Sequence, residues 1–290
     1  MEATGSFRWF RGLLSELGHE LWLGNPTQIQ ASAPLRQKTD ERDARQLLKL
    51  LLEGRFPQIW LPTAAEEDLR QLLWHRCRLV RLRTRLRNQL DAIAKNEGLV
   101  GQRVATQKGR RQLEALPLSG WYRQRRQDLF ELLDQLEERI SPLNQAVQQA
   151  AEERADAQRL MTHPGVGPVA ALAYVLAIGD WQRFPRGKYV ASYLGLIPEE
   201  DSSSNKRRLG HITKQGNSLV RWLLVQAATK AQQCDLVWHR QYLRLARNKP
   251  HGVAKVAIAR KLAIRLYWML RSGQDYEQVK ERGSLAGQSV

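Results

Sequence analysis

The sequence predicts an α/β unit at its N-terminus, followed by a longer, almost wholly helical region. A short apolar run at 20–23 ends at Gly24-Asn25-Pro26, which is typical of a strand closed by a turn. Apolar residues then recur every three or four positions through 64–96 and 122–160, which is the period of amphipathic helices. An alanine-rich segment, 169–178, begins a third unit. The fold class is therefore α/β plus α.

The composition indicates a polyanionic partner. The 290 residues carry 46 Lys+Arg against 29 Asp+Glu, a net charge of +17 and a pI near 10.4, which favours binding to nucleic acid. No apolar run is long enough for a membrane span and no signal pattern opens the chain. The two cysteines, Cys77 and Cys234, form neither a disulfide framework nor a thiol metal site. These features favour a reducing cytoplasm.

The N-terminal unit begins abruptly. A short helix at 7–17 leads into the strand at 20–23, and a buried strand of this kind needs partners on both sides and a crossover helix from its neighbour. Almost nothing precedes the helix. We therefore expect that the earlier strands are absent, supplied by another molecule or lost through a misplaced start, so that the chain is N-terminally truncated.

Two carboxylates open the next helix. Thr39 is a suitable N-cap, so Asp40 takes the first helical position and Asp43 follows one turn later on the same face. Such a pair can bridge magnesium ions, which prefer oxygen ligands. Acidic residues in a first turn also complement the helix dipole, and this segment alone does not separate the two interpretations.

The two long helical stretches predict an antiparallel or dimerising coiled coil, with a kink at Pro142. One face of the first stretch is rich in arginine. We interpret this face as a contact for the nucleic-acid backbone, although such a face is most often only solvated. Its residues are Arg76, Arg78, Arg81, Arg83, Arg85 and Arg87.

The third unit opens with a glycine hairpin and contains a serine cluster. Gly165 and Gly167 join two helices, and the backbone N–H groups of such a turn suit a DNA phosphate, although any tight turn between helices uses glycines. Further on come Ser202, Ser203 and Ser204. Basic residues that would hold DNA follow them: Lys206, Arg207, Arg208 and Lys214.

The end of the chain is predicted to change from helix to disorder. Residues 255–270 alternate basic and apolar faces, with Tyr267 and Trp268 assigned to the core. Polar residues from Ser272 onward are expected to be disordered. Four other tryptophans on apolar faces are also assigned to the core, namely Trp9, Trp22, Trp74 and Trp222. No histidine shows the ligand spacing of a zinc site, and only His211 stays open, because it lies close to the serines.

These motifs, in this order, resemble the DEDD-type insertion-sequence transposases of the IS110 family, which includes the pilin-gene invertases. Glu2-Ala3-Thr4-Gly5, Asn25-Pro26 and Lys38-Thr39-Asp40 with Asp43-Ala44-Arg45 are similar to motifs of the family's catalytic domain. The segments 164–167, 193–198 and 212–217, with Ser203, Gly210 and Arg221, are similar to its C-terminal domain. The resemblance covers nearly the whole chain.

The resemblance implies a partial ribonuclease-H-like (RuvC-like) domain at 1–62, a coiled-coil spacer at 63–158 and a small helical transposase domain at 159–273. A disordered tail, 274–290, would follow. By position, Glu2, Asp40 and Asp43 match three of four metal-binding acids, so Mg²⁺ is the expected cofactor. Ser203 matches the family's nucleophilic serine.

Two departures from the family pattern qualify this assignment. Ser204 stands where the family commonly has glycine, so Ser202 and Ser204 stay open as nucleophiles. The first acid of the tetrad belongs to a strand upstream of Glu2, which leaves the catalytic competence of this chain open. The alternative is an inactive remnant that binds DNA or RNA and oligomerises.

For an active enzyme, the resemblance implies cutting and rejoining of double-stranded DNA. In some members of the family a structured RNA encoded by the element guides the reaction, so a guide RNA is a further possible partner. A homo-oligomer through the coiled coil is also expected.

Overall fold

The computed structural model describes residues 1, 7–32, 39–99, 104–200 and 208–285. The chain divides into two compact units, Met1–Thr63 and Ala64–Val290. The described part of the first unit contains three helices: α1 (Phe7–Glu16), α2 (Pro26–Ala31) and α3 (Asp40–Leu52).

The second unit contains ten α-helices and one hairpin within the described ranges. They are α4 (Ala64–Asn96), α5 (Gln107–Glu114), α6 (Gly120–Glu152), α7 (Ala155–Met161), α8 (Pro168–Ile178), α9 (Gly187–Tyr193), β1 (Pro198–Glu200), β2 (Leu209–Ile212), α10 (Ser218–Cys234), α11 (Leu236–Ala246), α12 (His251–Ser272) and α13 (Tyr276–Leu285).

In the first unit, the segment predicted as a strand is extended but forms no regular sheet. Leu21 and Leu23 are buried while Trp22 is 40% exposed, which is the alternation expected of a strand. Among the described residues, the segment forms one isolated bridge, between Gly24 and Gln58. Residues 20–23 belong to no regular strand in the described part of the chain, so the prediction of a strand there is wrong.

The Asn25-Pro26 motif starts α2. The Asn25 side chain accepts hydrogen bonds from the backbone N–H groups of Thr27 and Gln28, and Pro26 fills the first helical position, where no hydrogen-bond donor is needed. The Gln46 side chain donates to the Ser32 carbonyl, 2.9 Å away, which ties α3 to the end of α2. These contacts fix the position of α3, which carries the acidic pair.

The two longest helices, α4 and α6, pack side by side in opposite directions. The Arg76 side chain donates to Asn144 at 2.8 Å, and Arg87 binds Glu137 at 2.5 Å. Residues late in α4 therefore lie beside residues earlier in α6. Each helix has 33 residues and is about 50 Å long. Helix α6 continues through Pro142 without interruption.

The core of the second unit surrounds α8. Every residue of this helix from Ala171 to Ile178 is buried, and helices α7, α10 and α12 belong to the same cluster. Leu73 of α4 and Val147 of α6 are members of that cluster too. The predicted spacer 63–158 thus contributes to the core of the predicted domain 159–273, while a second cluster, which includes Leu90 and Leu133, lies within the spacer itself.

The predictions for the C-terminal region require two corrections. Tyr267 is fully buried and donates to the Phe184 carbonyl at 2.6 Å, whereas Trp268 is 44% exposed. Adjacent residues on a helix point about 100° apart, so a single buried face cannot hold both. The tail predicted as disordered contains α13, and its Tyr276 is buried.

Three other tryptophans assigned to the core are also exposed. Trp9 is 68% exposed, Trp22 40% and Trp222 42%. Trp9 lies on α1 and Trp222 on α10. An indole at the edge of an amphipathic face contacts the core with one side and solvent with the other, so placement near an apolar stripe does not establish burial.

Candidate active site

The serine cluster lies in the chain between the two strands of the hairpin. Strands β1 and β2 pair antiparallel, with Pro198 opposite Ile212 and Glu200 opposite Leu209. Ser202, Ser203, Ser204, Lys206 and Arg207 lie outside the described residues. Arg208 is described and is exposed. The hairpin therefore sets the positions of both ends of the serine segment.

The base of the hairpin is fixed to α10 by Arg221. Its guanidinium donates from Nη1 to the carbonyl oxygens of Leu194, Gln215 and Gly216. Desolvation lowers the pKa of this arginine from its ordinary value. One cation thus joins the segment before β1 to the segment after β2, which explains why an arginine accompanies these two motifs.

Two glycines allow these segments to approach closely. Gly195 and Gly216 have φ angles of +65° and +70°, a region that L side chains rarely adopt. A Cβ on Gly195 would lie only 2.8 Å from the Lys214 carbonyl carbon. A side chain at Gly195 would therefore force the two segments apart.

Lys214 is the one described non-glycine residue with a positive φ, at 54°. Its side chain is exposed, and its backbone N–H donates to the Gly195 carbonyl at 3.3 Å. The left-handed conformation costs about 1 kcal/mol for a residue with a Cβ. The basic side chain of Lys214 predicts nucleic-acid binding, but its sequence context gives no indication of this backbone geometry.

The glycine hairpin before α8 has a packing role as well. Gly165 has a φ of +84°, and a Cβ there would lie 2.6 Å from the Ala227 carbonyl oxygen on α10. Gly167 is exposed and is the N-cap of α8, without a side-chain cap hydrogen bond. Gly167 is thus the better placed of the two to present a free helix N-terminus to a phosphate.

The acidic pair has the local geometry that the sequence predicts. The Thr39 hydroxyl accepts a hydrogen bond from the Arg42 N–H at 3.4 Å, and α3 begins at Asp40. Asp40 is exposed and Asp43 is partly exposed. Neither carboxylate forms an ion pair or a side-chain hydrogen bond with any described residue. The carboxylate oxygens of both residues are therefore available to a cation.

These candidate ligands do not complete a site by themselves. Among the described residues there is no group of three or more His, Cys, Asp or Glu side chains that could hold a metal. Glu2, the third predicted ligand, lies outside the described residues. The acidic pair belongs to the unit Met1–Thr63 and the serine hairpin to the unit Ala64–Val290.

Comparisons with known proteins identify the family. Residues 1–96 match a family model described as a transposase of the DEDD type, and residues 157–244 match the IS116/IS110/IS902 transposase family. The chain is 30% identical to a probable family 20 transposase of Pseudomonas aeruginosa, over 94% of this chain and 83% of that one. The chain belongs to the IS110 family of transposases. Further relatives extend this match.

The transposase is also 32% identical to the putative transposase y4pF/y4sB of Sinorhizobium fredii, over 95% of this chain and 73% of that protein. It is 29% identical to the transposase for insertion sequence element IS1111A of Coxiella burnetii, over 79% of this chain and 64% of the relative. Membership implies that the transposase binds DNA and uses a divalent metal ion. Across the described residues, no helix is both long and apolar enough to cross a membrane.

The arginine-rich face of α4 divides into two sets in the transposase. Arg76 and Arg87 bind side chains of α6, and burial lowers the pKa of the partly buried Arg83. Three others, spaced by three and four residues, are exposed on one side of the helix: Arg78, Arg81 and Arg85. This second set is the part of the face that can reach a phosphate backbone.

We expect the triple substitution of Arg78, Arg81 and Arg85 by Ala to weaken binding to all DNA sequences alike. The slope of log affinity against log salt concentration should flatten by about 0.9 for each phosphate that the variant no longer neutralises. Fluorescence anisotropy with labelled duplexes at several salt concentrations measures both quantities. Substituting Lys188, Lys230 and Arg240 by Ala removes the same charge elsewhere, and equal effects of the two triples would show that only net charge matters.

The transposase contains a buried histidine that its sequence did not predict. His163 is 1% exposed and lies between the rings of Trp238 and Tyr276, whose centroids are 5.1 and 4.4 Å away. Its Nδ1 is 2.8 Å from the Pro164 carbonyl oxygen, while its buried Nε2 has no hydrogen-bond partner among the described residues. Desolvation lowers the pKa of His163 to about 4. The only sequence signal was its place directly before Pro164-Gly165.

Proposed function

We propose that the transposase cuts and rejoins DNA strands by a serine nucleophile assisted by Mg²⁺. The observation that carries this proposal is the acidic pair Asp40 and Asp43, capped by Thr39 and without a partner cation among the described residues. Their carboxylate oxygens fit the ligand preference of a hard divalent ion. Glu2 is the proposed third ligand, and Ser203 the proposed nucleophile, with Ser202 and Ser204 as the alternatives.

When bound, the metal ion would polarise a phosphate oxygen and stabilise developing negative charge. The residues of the chain perform the bond exchange. The Ser203 hydroxyl gives up its proton, and its Oγ forms an ester bond to phosphorus while the bond from phosphorus to one sugar oxygen breaks. That sugar oxygen takes up a proton and leaves as a hydroxyl.

The covalent ester conserves the energy of the broken bond. A sugar hydroxyl of another strand can attack the same phosphorus, form the new strand junction and return the serine with its proton. Lys206, Arg207 and Arg208 follow the serines within a few residues and would offset phosphate charge during both exchanges. No external energy source is required for such a cycle.

The surfaces of α4 and α6 support the partners proposed from the sequence, which are nucleic acid and a second copy of the chain. The exposed set on α4 suits the backbone of duplex DNA or of a structured guide RNA, because a basic helix face does not distinguish the two by charge. Leu82 on α4 and Leu132 on α6 are 44% and 48% exposed. These apolar side chains support a homo-oligomer formed through the long helices.

We expect Asp40→Asn and Asp43→Asn each to lower the rate of strand cutting about 100-fold while leaving DNA binding unchanged. Loss of one carboxylate removes charge stabilisation in the transition state but not the basic surface that positions DNA. The assay follows a labelled duplex that carries the end of the insertion sequence, with the purified chain and Mg²⁺.

Glu41→Gln is the matched control for these two variants. Glu41 lies on the same helical turn but forms an ion pair with Arg45 at 2.6 Å, so its substitution should leave cutting unchanged. Parental rates in either aspartate variant would contradict the metal assignment. Tight DNA binding without cutting by the parent would favour the remnant interpretation.

A further inference from the structure

A groove of about 550 Å³ lies between the serine hairpin and the first half of α12. One wall comes from the segment around β1 and β2, and it includes Ile212 and Lys214. The other wall comes from Lys249 and from α12. The volume is in the range of sites that hold small organic ligands. The groove borders the strand that follows Ser203 in the chain.

The lining combines an apolar floor, formed by Val253 and Val256 of α12, with cationic groups. On α12, Val253, Val256 and Arg260 recur at helical spacing and line the same side of the groove. Lys214 and Lys249 contribute two further cations from exposed positions. No described residue that lines the groove is acidic, and the described residues give these three cations no carboxylate partner. Their charge is therefore available to an anion.

Two backbone features add to this charge. Helix α12 starts directly after Pro250, which provides no side-chain cap, so within the described residues the first N–H groups of this 22-residue helix remain for another acceptor. Lys214 holds its positive φ on the opposite wall. Strained backbone of this kind persists where the surrounding structure enforces it and is common at functional sites.

We propose that this groove binds one unpaired nucleotide of a DNA strand, with its base on the valine floor and its phosphates on Lys214, Lys249 and Arg260. An apolar floor suits an unstacked base, because bases taken out of a duplex are held between aromatic or apolar side chains. Free phosphate would use the cations but not the floor. The inference rests on the proposed function, in which a strand is opened at the serine segment.

The test compares two labelled single-stranded DNA probes of twelve nucleotides, one normal and one fully abasic, by fluorescence anisotropy with the whole chain. The probes carry the same charge but only one has bases. We expect the parent to bind the normal probe about tenfold more tightly, because only that probe carries bases that can contact the apolar floor. Val253→Asp should remove this preference, since it places a carboxylate on the floor.

Variants of the cations test the phosphate contacts. Lys214→Gly and Lys249→Gln should each weaken both probes about tenfold, whereas Lys230→Gln, an exposed position on α10, should change neither. Lys214→Gly also relieves the positive φ, so it should melt no lower than the parent. Weak binding by this variant would then report the missing cation rather than a damaged fold.

Several results would overturn the proposal. They are equal binding of the two probes by the parent, groove variants that bind like Lys230→Gln, or tighter binding of the matching RNA oligonucleotide than of DNA. The assay involves no bond cleavage, so it gives its answer whether or not Ser203 is the nucleophile. Failure of the proposed chemistry and failure of the groove are thus separate outcomes.

Discussion

Ser203→Ala should eliminate the covalent protein–DNA product, a decrease of at least about 1000-fold, whereas Ser202→Ala and Ser204→Ala should retain it. Only one hydroxyl can form the ester in the proposed exchange, and alanine has no oxygen to replace it. Incubation of the chain with end-labelled insertion-sequence DNA and Mg²⁺, followed by a denaturing gel, separates the covalent product from free DNA.

The neighbouring serines are the matched controls, because each variant removes one hydroxyl from the same segment. DNA binding by all three variants should equal that of the parent, since the basic residues are unchanged. A covalent product that persists in Ser203→Ala but disappears in Ser202→Ala or Ser204→Ala would transfer the assignment. Persistence in all three would exclude the cluster as the source of the nucleophile.

Acidification from about pH 6.5 to about pH 4 should lower the free energy of unfolding of the second unit by about 3 kcal/mol through protonation of His163 alone. Its pKa is lowered to about 4 in the folded chain, mainly by desolvation. Unfolded histidine titrates near 6.5, so the unfolded state binds the proton first as pH falls. This contribution is fully present above pH 6.5 and is lost toward pH 4.

Urea unfolding at several pH values measures the effect as the difference between the parent and His163→Phe. Phenylalanine keeps the ring contacts with Trp238 and Tyr276 but cannot be protonated, so the parent should lose stability relative to this variant as pH falls. The carboxylates titrate in both proteins and cancel. His75→Phe, at an exposed position on α4, is the control and should track the parent. A gap independent of pH would contradict the prediction.

Local sequence signals predicted the elements that depend on local physics. The Thr39 cap placed the start of α3 at Asp40, and the apolar period placed α4 at 64–96, the bounds that the structure shows. The family residues Gly195, Gly216 and Arg221 were recognised, but their shared role was not. That role depends on a contact between segments separated by some twenty residues.

Features that depend on tertiary contacts were missed for the same reason. The His163 cluster joins three parts of the chain, through the ring contacts with Trp238 and Tyr276 and the bond of the Tyr276 N–H to the Thr162 hydroxyl at 3.0 Å. That anchoring explains why a polar segment after Ser272 forms α13. Composition alone predicts disorder for such a segment, because most of its residues are polar and the single aromatic residue Tyr276 changes the average little.

The core around α8 determines where protein chimaeras between members of this family can be joined. Leu73 and Val147 of the long helices pack with Leu172 in one cluster, so a chimaera joined near residue 158 would pair mismatched halves of a single interior. A junction at Thr63, where one compact unit gives way to the next along the chain, leaves that interior intact. Exchange of parts between relatives should therefore succeed at the earlier junction and yield insoluble protein at the later one.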